Sequence, residues 1–225
     1  MATTATSTTP SAARSKAVLF DFDGTLADTA ADLARALNRL RAAKGLAGLP
    51  LDELRPHASG GARGLIGAGL GILPEHPEFR SLRDDFLRHY AADICIDTRL
   101  FPGMAELLVA IEARGLRWGI VTNKSTNLTW QLVKELGLDA RAACVVCGDS
   151  TPHLKPHPAS LLHAAQQLAL HPRDCVYLGD DPRDIQAARS AGMRCVAVEW
   201  GYGSGLASWN ADAVIAQPGH LIDWL

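Results

Sequence analysis

Short apolar runs alternate with amphipathic, helix-like patterns along most of the chain. The runs are continuous and rich in β-branched residues, as expected for strands that are covered on both faces. We predict strands at 17–20, 118–121, 144–147, 175–178, 194–198 and 213–215. Strands that alternate with helices favour a parallel sheet connected by crossover helices.

The helical patterns between these strands carry their own start and stop signals. Leu107, Leu108 and Ile111 fall on one stripe, and Gly115 follows as a stop signal. A similar stripe over 128–136 precedes a second glycine, and prolines at 158 and 182 begin two further helices. The pattern therefore predicts one crossover helix between most pairs of strands.

One segment breaks this alternation. Roughly 100 residues separate the first two predicted strands, far more than one crossover needs. Leu33, Leu37 and Leu40 recur there at helical spacing, and the pattern returns over 79–90. We predict an α/β core over 16–29 and 99–225, with a helical cap over 30–98 inserted above the carboxyl edge of the sheet.

Composition excludes several other classes of protein. The net charge of −2 gives no general attraction to nucleic acid or to an anionic membrane. No apolar stretch approaches the ~20 residues of a membrane span. Residues 1–15 are rich in Thr, Ala and Ser without an apolar centre, which predicts a disordered tail and not a secretory signal. We expect no nucleic-acid or membrane partner, and a monomer or a weak homo-oligomer.

The cysteines favour a reducing compartment. There are five, an odd number, and most lie inside apolar runs, so we predict free thiols and a cytoplasmic protein. Cys144 and Cys147 have the CxxC spacing, but no second cysteine or histidine pair accompanies them. We therefore interpret them as strand residues.

The strongest chemical signal is the segment 20–25, which reads Phe-Asp-Phe-Asp-Gly-Thr directly after the first predicted strand. Asp21 and Asp23 are two positions apart, so their side chains start from the same face of the strand. Two such carboxylates need a positive partner, and oxygen ligands favour Mg²⁺. Gly24 allows a tight turn, and the Thr25 hydroxyl is expected to satisfy nearby backbone groups.

Three further segments, 121–124, 154–158 and 178–184, also lie where predicted strands end or helices begin. In a parallel sheet these ends share one edge, so we expect the four segments to converge there. Together they fit phosphoryl transfer through a covalent carboxyl-phosphate. Asp21 would be the nucleophile, and Asp23 would protonate the leaving alcohol and then activate water.

The remaining polar residues of these segments receive supporting roles. Asp21, the backbone carbonyl of Asp23, and Asp180 are expected to hold Mg²⁺, which offsets the charge that repels a carboxylate from a phosphate. Asp184 is expected to orient either a metal-bound water or the lysine of the 154–158 segment.

Substrate contacts are expected from both parts of the chain. The Thr122 hydroxyl and the backbone around Asn123 would bind phosphate oxygens, and Lys155 would stabilise charge on the transferring group. In the cap, the glycine-rich stretch 59–64 carries one guanidinium, Arg63, as a candidate for binding substrate.

The order of these motifs resembles the haloacid dehalogenase superfamily, which shares DxDGT, a Thr or Ser at a strand end, a Lys and GDxxxD. The resemblance covers nearly all of 16–225. It implies a Rossmann-like core, Asp21 as nucleophile and a helical cap after the first motif, and it suggests a cis Lys155–Pro156 bond.

Closer similarity is to phosphoglycolate phosphatase-like enzymes, through VTNK at 121–124, KPHP at 155–158 and FPG at 101–103. The stretch 59–63 and the segment 200–203, which contains Trp200 and Tyr202, also resemble bacterial N-acetylmuramic acid 6-phosphate phosphatases.

The leading hypothesis is thus a Mg²⁺-dependent phosphomonoesterase, phosphoglycolate phosphatase-like, that acts on a small phosphorylated metabolite. The alternatives are an N-acetylmuramic acid 6-phosphate phosphatase, a sugar phosphomutase that uses the same residues, and a non-enzymatic phospho-acceptor signalling module.

Overall fold

The computed structural model describes residues 15–225, which fold around one parallel sheet. In chain order the strands are β1 (Ala17–Phe20), β2 (Ala27–Asp28), β3 (Arg99–Leu100), β4 (Arg117–Val121), β5 (Val145–Val146), β6 (Cys175–Gly179), β7 (Arg194–Val198) and β8 (Ala213–Ile215). Six of them form the main sheet in the order β5-β4-β1-β6-β7-β8, and every neighbouring pair in it is parallel. The predicted α/β fold class is confirmed.

The helices are α1 (Ala30–Ala43), α2 (Leu51–Leu54), α3 (Gly61–Leu70), α4 (Phe79–Ala92), α5 (Met104–Ala113), α6 (Thr126–Glu135), α7 (Ala159–Gln167) and α8 (Pro182–Ala191). Short 3-10 turns occupy Arg55–Gly60, Pro172–Asp174, Leu206–Ser208 and Pro218–Trp224. Strands β1, β7 and β8 have the predicted bounds. The strand predicted at 144–147 is shorter, since only Val145–Val146 pairs with β4.

Strand β1 lies in the middle of the sheet and is covered on both faces. Val18 and Phe20 belong to an apolar cluster with α5 and α6, whereas Ala17 and Leu19 belong to a second cluster with α7 and α8. All four side chains are fully buried. The alternation explains why a continuous apolar run, and not a half-polar one, forms this strand.

The strand order places three carboxyl ends side by side. Phe20 at the end of β1 pairs with Ile120 of β4 on one side and with Leu178 of β6 on the other. Strands β4 and β5 lie on one side of β1, and the chain then crosses to the other side to form β6, β7 and β8. The strand order therefore reverses at β1. Such a reversal opens a crevice at the carboxyl edge, where α/β proteins bind ligands.

Helices α1 to α4 all lie within the predicted insertion, which is called the cap below and comprises residues 30–98. The apolar stripe of α1 packs against α4. The two ends of the cap are joined by an antiparallel pair, in which Ala27 of β2 faces Leu100 of β3. Two-residue strands leave no sequence pattern, so this pair was not predicted. The division into core and cap stays a prediction.

The predicted tail 1–15 lies outside the described residues except for its last position. Ser15 is buried and accepts a hydrogen bond from the Arg194 guanidinium. Over 15–225, no helix is both long enough and apolar enough to cross a bilayer. All five cysteines are free thiols, and four of them are buried.

Candidate active site

Three carboxylates meet at the carboxyl edge of the sheet. Asp21 directly follows β1, Asp180 directly follows β6, and Asp184 lies in the first turn of α8. One carboxylate oxygen from each residue lies within 4.8 Å of the others. Oxygen atoms at this spacing can contact one common divalent cation. The sequence predicted that the segments containing Asp21 and Asp180 would converge, and the two carboxylates do lie close together.

The Lys155 ammonium lies inside this acidic cluster. Its Nζ atom is 2.8 Å from Asp21 Oδ1 and 2.7 Å from Asp184 Oδ1, and the residue is only 4% exposed. It also donates to the Tyr177 hydroxyl at 2.7 Å and to the Val121 carbonyl at 3.1 Å. The peptide bond that follows Lys155 is cis.

Charge repulsion and burial make the acids hold their protons unusually tightly. Burial raises the pKa of Asp21 to about 8, helped by the neighbouring Asp184 and Asp180 and opposed by Lys155. Burial and Asp184 raise the pKa of Asp180 to about 7. Lys155 alone therefore does not offset the cost of charging these buried carboxyl groups, which is the electrostatic setting of a cation site.

The nucleophilic candidate has one oxygen engaged and one free. Asp21 Oδ1 accepts hydrogen bonds from the Phe22 backbone N–H at 2.7 Å and from Lys155. Within residues 15–225, Oδ2 accepts none. A carboxylate held through one oxygen presents the other in a fixed direction, which suits attack on phosphorus.

Asp180 accepts hydrogen bonds from three segments at once. The Thr25 hydroxyl donates to Oδ1 at 3.0 Å, while the Ser59 hydroxyl at 3.0 Å and the Tyr202 backbone N–H at 2.9 Å donate to Oδ2. The prediction that Thr25 satisfies backbone groups is therefore wrong, because its hydroxyl binds a carboxylate. Ser59 belongs to the cap, so this contact joins the cap to the acidic cluster.

Two structural features require glycine at position 24 of the DxDGT motif. Gly24 has a φ of +82°, which side-chain-bearing residues rarely adopt. A Cβ atom at this position would lie 2.2 Å from Asp180 Oδ2. The motif therefore needs glycine for the turn and also for the close approach of Asp180.

Asp23 lines the cavity of this site and is held by two donors. Lys124 Nζ lies 2.7 Å and 3.0 Å from its two oxygens, and the Thr29 hydroxyl donates at 2.6 Å. Lys124 was not predicted as a site residue, although it directly follows Thr122 and Asn123 in a segment that was. Its position at the end of that segment is the feature of the sequence that could have identified it as a site residue.

The Asn123 amide positions Lys155. Its Oδ1 accepts from the Lys155 backbone N–H at 2.8 Å, and its Nδ2 donates to the Lys155 carbonyl at 3.0 Å. The Thr122 hydroxyl accepts from the Lys124 N–H at 3.1 Å and lies at the cavity wall. The proposed contacts of Thr122 and Asn123 with phosphate stay predictions, and the Asn123 side chain has a structural task already.

A cavity of about 470 Å³ lies over these groups. Asp21, Asp23 and Lys155 line its core side, whereas Arg63 and Tyr90 line its cap side. Arg63 is exposed, and no ion pair or hydrogen bond joins it to another described residue. The sequence-predicted residues of core and cap therefore face the same space.

Comparison with known proteins assigns the family. The model of the haloacid dehalogenase-like hydrolases matches residues 18–198. The chain belongs to this family. It is 41% identical over 215 residues to the N-acetylmuramic acid 6-phosphate phosphatase of Pseudomonas aeruginosa, covering 94% of this chain and 95% of that one. It is 40% identical over 209 residues to the phosphoglycolate phosphatase of Xanthomonas campestris pv. campestris, covering 92% and 94%.

A solved structure has the same fold. It is that of a predicted phosphoglycolate phosphatase from Haemophilus somnus, with a TM-score of 0.82 and 27% identity. The superposition covers 93% of this chain and 97% of that one. The predicted family and the enzyme class, a phosphoric monoester hydrolase, are confirmed.

In this haloacid dehalogenase-like hydrolase, Trp200 and Tyr202 hold the backbone next to the site, a role that the sequence analysis did not assign to them. Trp200 donates from Nε1 to the Thr25 carbonyl at 3.0 Å. The Tyr202 hydroxyl accepts from the Thr29 N–H at 2.7 Å and the Ala30 N–H at 3.0 Å, at the start of α1. Both aromatic residues therefore fix the chain between the DxDGT motif and the cap.

Sequence reasoning missed several residues of the site for a common reason. Tyr177 lies within an apolar strand, and Ser59 lies in a glycine-rich turn, so neither has a chemical signature by position. Arg183 lies in the 178–184 segment, but the sequence analysis assigns it no role. It pairs with Asp181 at 2.7 Å and donates to the Ser59 carbonyl at 2.9 Å, which is a second contact between core and cap.

Proposed function

We propose that the protein is a Mg²⁺-dependent phosphomonoesterase that hydrolyses a small phosphorylated metabolite through a phosphoaspartate on Asp21. The observation that carries the proposal is the meeting of Asp21, Asp180 and Asp184 within 4.8 Å, where the Lys155 ammonium pairs with Asp21 and Asp184. Buried carboxylates at this density need a cation beyond one lysine. Their oxygen-only donor set fits Mg²⁺.

In this proposal Asp21 and Asp180 hold the cation together with the backbone carbonyl of Asp23, and Asp184 orients Lys155. When bound, Mg²⁺ supplies positive charge that lets an anionic nucleophile approach a phosphate. The close approach of Gly24 to Asp180 supports this assignment, because it keeps the carboxylate next to the DxDGT turn.

The chemistry proceeds in two steps on residues of the chain. Asp21 Oδ2 forms a bond to phosphorus as the bond from phosphorus to the leaving alcohol oxygen breaks. Asp23 gives that oxygen its proton. Asp23 then takes a proton from water, whose oxygen attacks phosphorus and releases Asp21. Lys155 balances charge on the phosphoryl oxygens during both steps.

A specific substrate is supported by the cavity and by the relatives. A volume of about 470 Å³ falls within the range of ~300–1,000 Å³ that is typical of sites for drug-sized ligands. It is larger than two-carbon 2-phosphoglycolate requires. This favours N-acetylmuramic acid 6-phosphate, the compound named for the Pseudomonas relative, as the first substrate to test.

The cellular location and the oligomeric state of the enzyme are also proposals. A cytoplasmic location is supported by the five free cysteines, four of which are buried thiols. A monomer or weak homo-oligomer stays a prediction. The signalling-module alternative has no support from the family, whereas the phosphomutase alternative is decided by product analysis.

The decisive experiment measures phosphate release by the purified full chain. The panel comprises 2-phosphoglycolate, N-acetylmuramic acid 6-phosphate, a hexose 6-phosphate and phenyl phosphate, each with EDTA and with added Mg²⁺. We expect turnover only with Mg²⁺, and a loss of at least about 1,000-fold for Asp21→Asn. Asp52→Asn, the same change on an exposed cap residue, should keep full activity.

Binding of the metal is measured separately by calorimetric titration of Mg²⁺ into the wild type and Asp180→Asn. We expect weaker binding by the variant. Full turnover by Asp21→Asn would exclude the proposed nucleophile. Phosphate appearing on another carbon of the sugar, and not in solution, would identify a phosphomutase.

A further inference from the structure

One residue of the cavity wall carries a buried polar group that has no partner within residues 15–225. The Tyr90 hydroxyl is buried and makes no hydrogen bond with any residue of 15–225, and the residue is 1% exposed. Buried hydroxyl groups without a partner are rare, because they lose their bonds to water and gain nothing in return. Tyr90 lies in α4 and lines the cap side of the cavity.

The ring of Tyr90 is fixed from two directions. Phe86 stacks with it at a centroid distance of 6.4 Å and an interplanar angle of 20°. Lys124 Nζ lies 4.7 Å from the ring centroid and is itself held by Asp23. The hydroxyl lies on the axis of the ring, so rotation of the ring does not carry it to another partner. Its position is therefore set before a ligand arrives.

The contacts of Lys124 locate this hydroxyl relative to the reaction. Lys124 joins Tyr90 to Asp23, the residue proposed to protonate the leaving alcohol. Tyr90 therefore lies on the side of Asp23, and the alcohol portion of a phosphate ester is expected on that side. Lys155 and Asp21, which face the phosphoryl group in the proposed function, pair with each other at 2.8 Å and line the same cavity.

We propose that the Tyr90 hydroxyl hydrogen-bonds an oxygen atom on the alcohol portion of the substrate and thereby determines specificity. A phenol both donates and accepts, so the fitting partners are a hydroxyl, a ring oxygen or a carboxylate of a phosphorylated sugar or hydroxy acid. An ester with a purely hydrocarbon alcohol leaves the phenol unpaired. The proposal rests on the proposed phosphomonoesterase function.

The test compares Tyr90→Phe with the wild type on two kinds of ester. One is whichever oxygen-bearing ester of the panel above has the highest kcat/KM, and the other is phenyl phosphate. We expect Tyr90→Phe to lower kcat/KM at least about 10-fold for the oxygen-bearing ester. For phenyl phosphate the two proteins should agree within about twofold. In an Asp21→Asn background, the Kd of the oxygen-bearing ester should rise by a similar factor.

A matched control is available in α7. The Ser160 hydroxyl is also buried without a partner among the described residues, but it does not line the cavity. Ser160→Ala should leave kcat/KM unchanged for both esters. The Tm of ligand-free Tyr90→Phe should equal or exceed that of the wild type, because the substitution removes an unsatisfied group.

Three results would overturn the proposal: equal losses for both esters, no loss for either, or a lowered Tm with unchanged discrimination. A wild type that hydrolyses phenyl phosphate but none of the oxygen-bearing esters would also overturn it. Failure of the proposed function is distinguishable, since in that case the wild type releases phosphate from no ester at all.

Discussion

The Ser59 hydroxyl donates a hydrogen bond of 3.0 Å to Asp180, across 121 positions of the chain. Ser59 belongs to the cap, and Asp180 follows the central strand β6. The Arg183 guanidinium adds a bond of 2.9 Å to the Ser59 carbonyl. A serine of the cap therefore touches one of the clustered acids directly, so the position of the cap and the geometry of the cluster depend on each other.

Ser59→Ala is expected to loosen this contact without removing the cluster. A hydrogen bond to a charged group contributes about 1.5–3 kcal/mol. We expect the free energy of unfolding to fall by about 1–2 kcal/mol, since Asp180 keeps its bonds from Thr25 and Tyr202. Hydrogen exchange over 55–70 should become faster. Ser81→Ala, an exposed cap serine, is the control and should change neither measurement.

Lys155→Met should destabilise the protein because it leaves Asp21 and Asp184 without their buried counter-charge. Removal of one partner from a buried ion pair costs about 3–5 kcal/mol. Chemical denaturation of the variant and the wild type measures this loss. Added Mg²⁺ should restore part of the loss if the acids hold a cation. Lys16→Met removes a surface pair with Asp174 and should destabilise the protein far less. Similar losses for the two variants would contradict a buried electrostatic role for Lys155.

Gly24→Ala is expected to disrupt the acidic cluster by two separate effects. The positive φ costs about 1–2 kcal/mol for any residue with a Cβ atom. The approach to 2.2 Å from Asp180 adds a clash of about 1–3 kcal/mol. Gly45→Ala has a φ of +72° but no atom within 4 Å, so it isolates the first effect. Equal Tm values for the two variants would exclude the clash.

Tyr202→Phe should destabilise the start of α1. It removes the oxygen that accepts from the Thr29 and Ala30 N–H groups, and a buried donor without a partner costs about 1–3 kcal/mol. Hydrogen exchange of these two amides should accelerate. Tyr90→Phe is the matched substitution, since its hydroxyl has no partner among the described residues, and it should not lower the Tm. The opposite order of Tm values would contradict both assignments.

The buried thiols predict a loss of stability in alkali. Burial raises the pKa of Cys144 to about 12 and that of Cys175 to about 11, from an ordinary value of 9.0. Above pH 9 the unfolded chain releases these protons while the folded chain keeps them, so unfolding becomes more favourable as pH rises to about 11–12.

Denaturation between pH 8 and 11 measures this loss, and a Cys144→Ala, Cys175→Ala double variant should show a smaller slope against pH. In native protein at pH 8, iodoacetamide should modify half-buried Cys95 before Cys144 or Cys175. Modification of Cys144 first would contradict its burial.

Much of the site follows from local sequence. Asp21, Thr122 and Asp180 end neighbouring strands, and a parallel sheet brings such ends to one edge whatever the length of chain between them. For this reason the sheet and the approach of Asp21 to Asp180 were predictable from short segments. The helices of the cap were predictable from the spacing of apolar residues, as in Leu33 and Leu37.

Only the tertiary structure decided which donors meet which acids. Tyr202 reaches Thr29 across 173 positions, and Lys124 reaches Asp23 across 101. Periodicity reports whether a residue faces the core, because burial repeats with the helix or strand. A hydrogen bond depends on one distance and one angle between two atoms, and no repeating pattern along the chain encodes those. The sequence therefore determined the acids and the sheet edge, and packing decided the partners of Tyr202, Ser59 and Lys124.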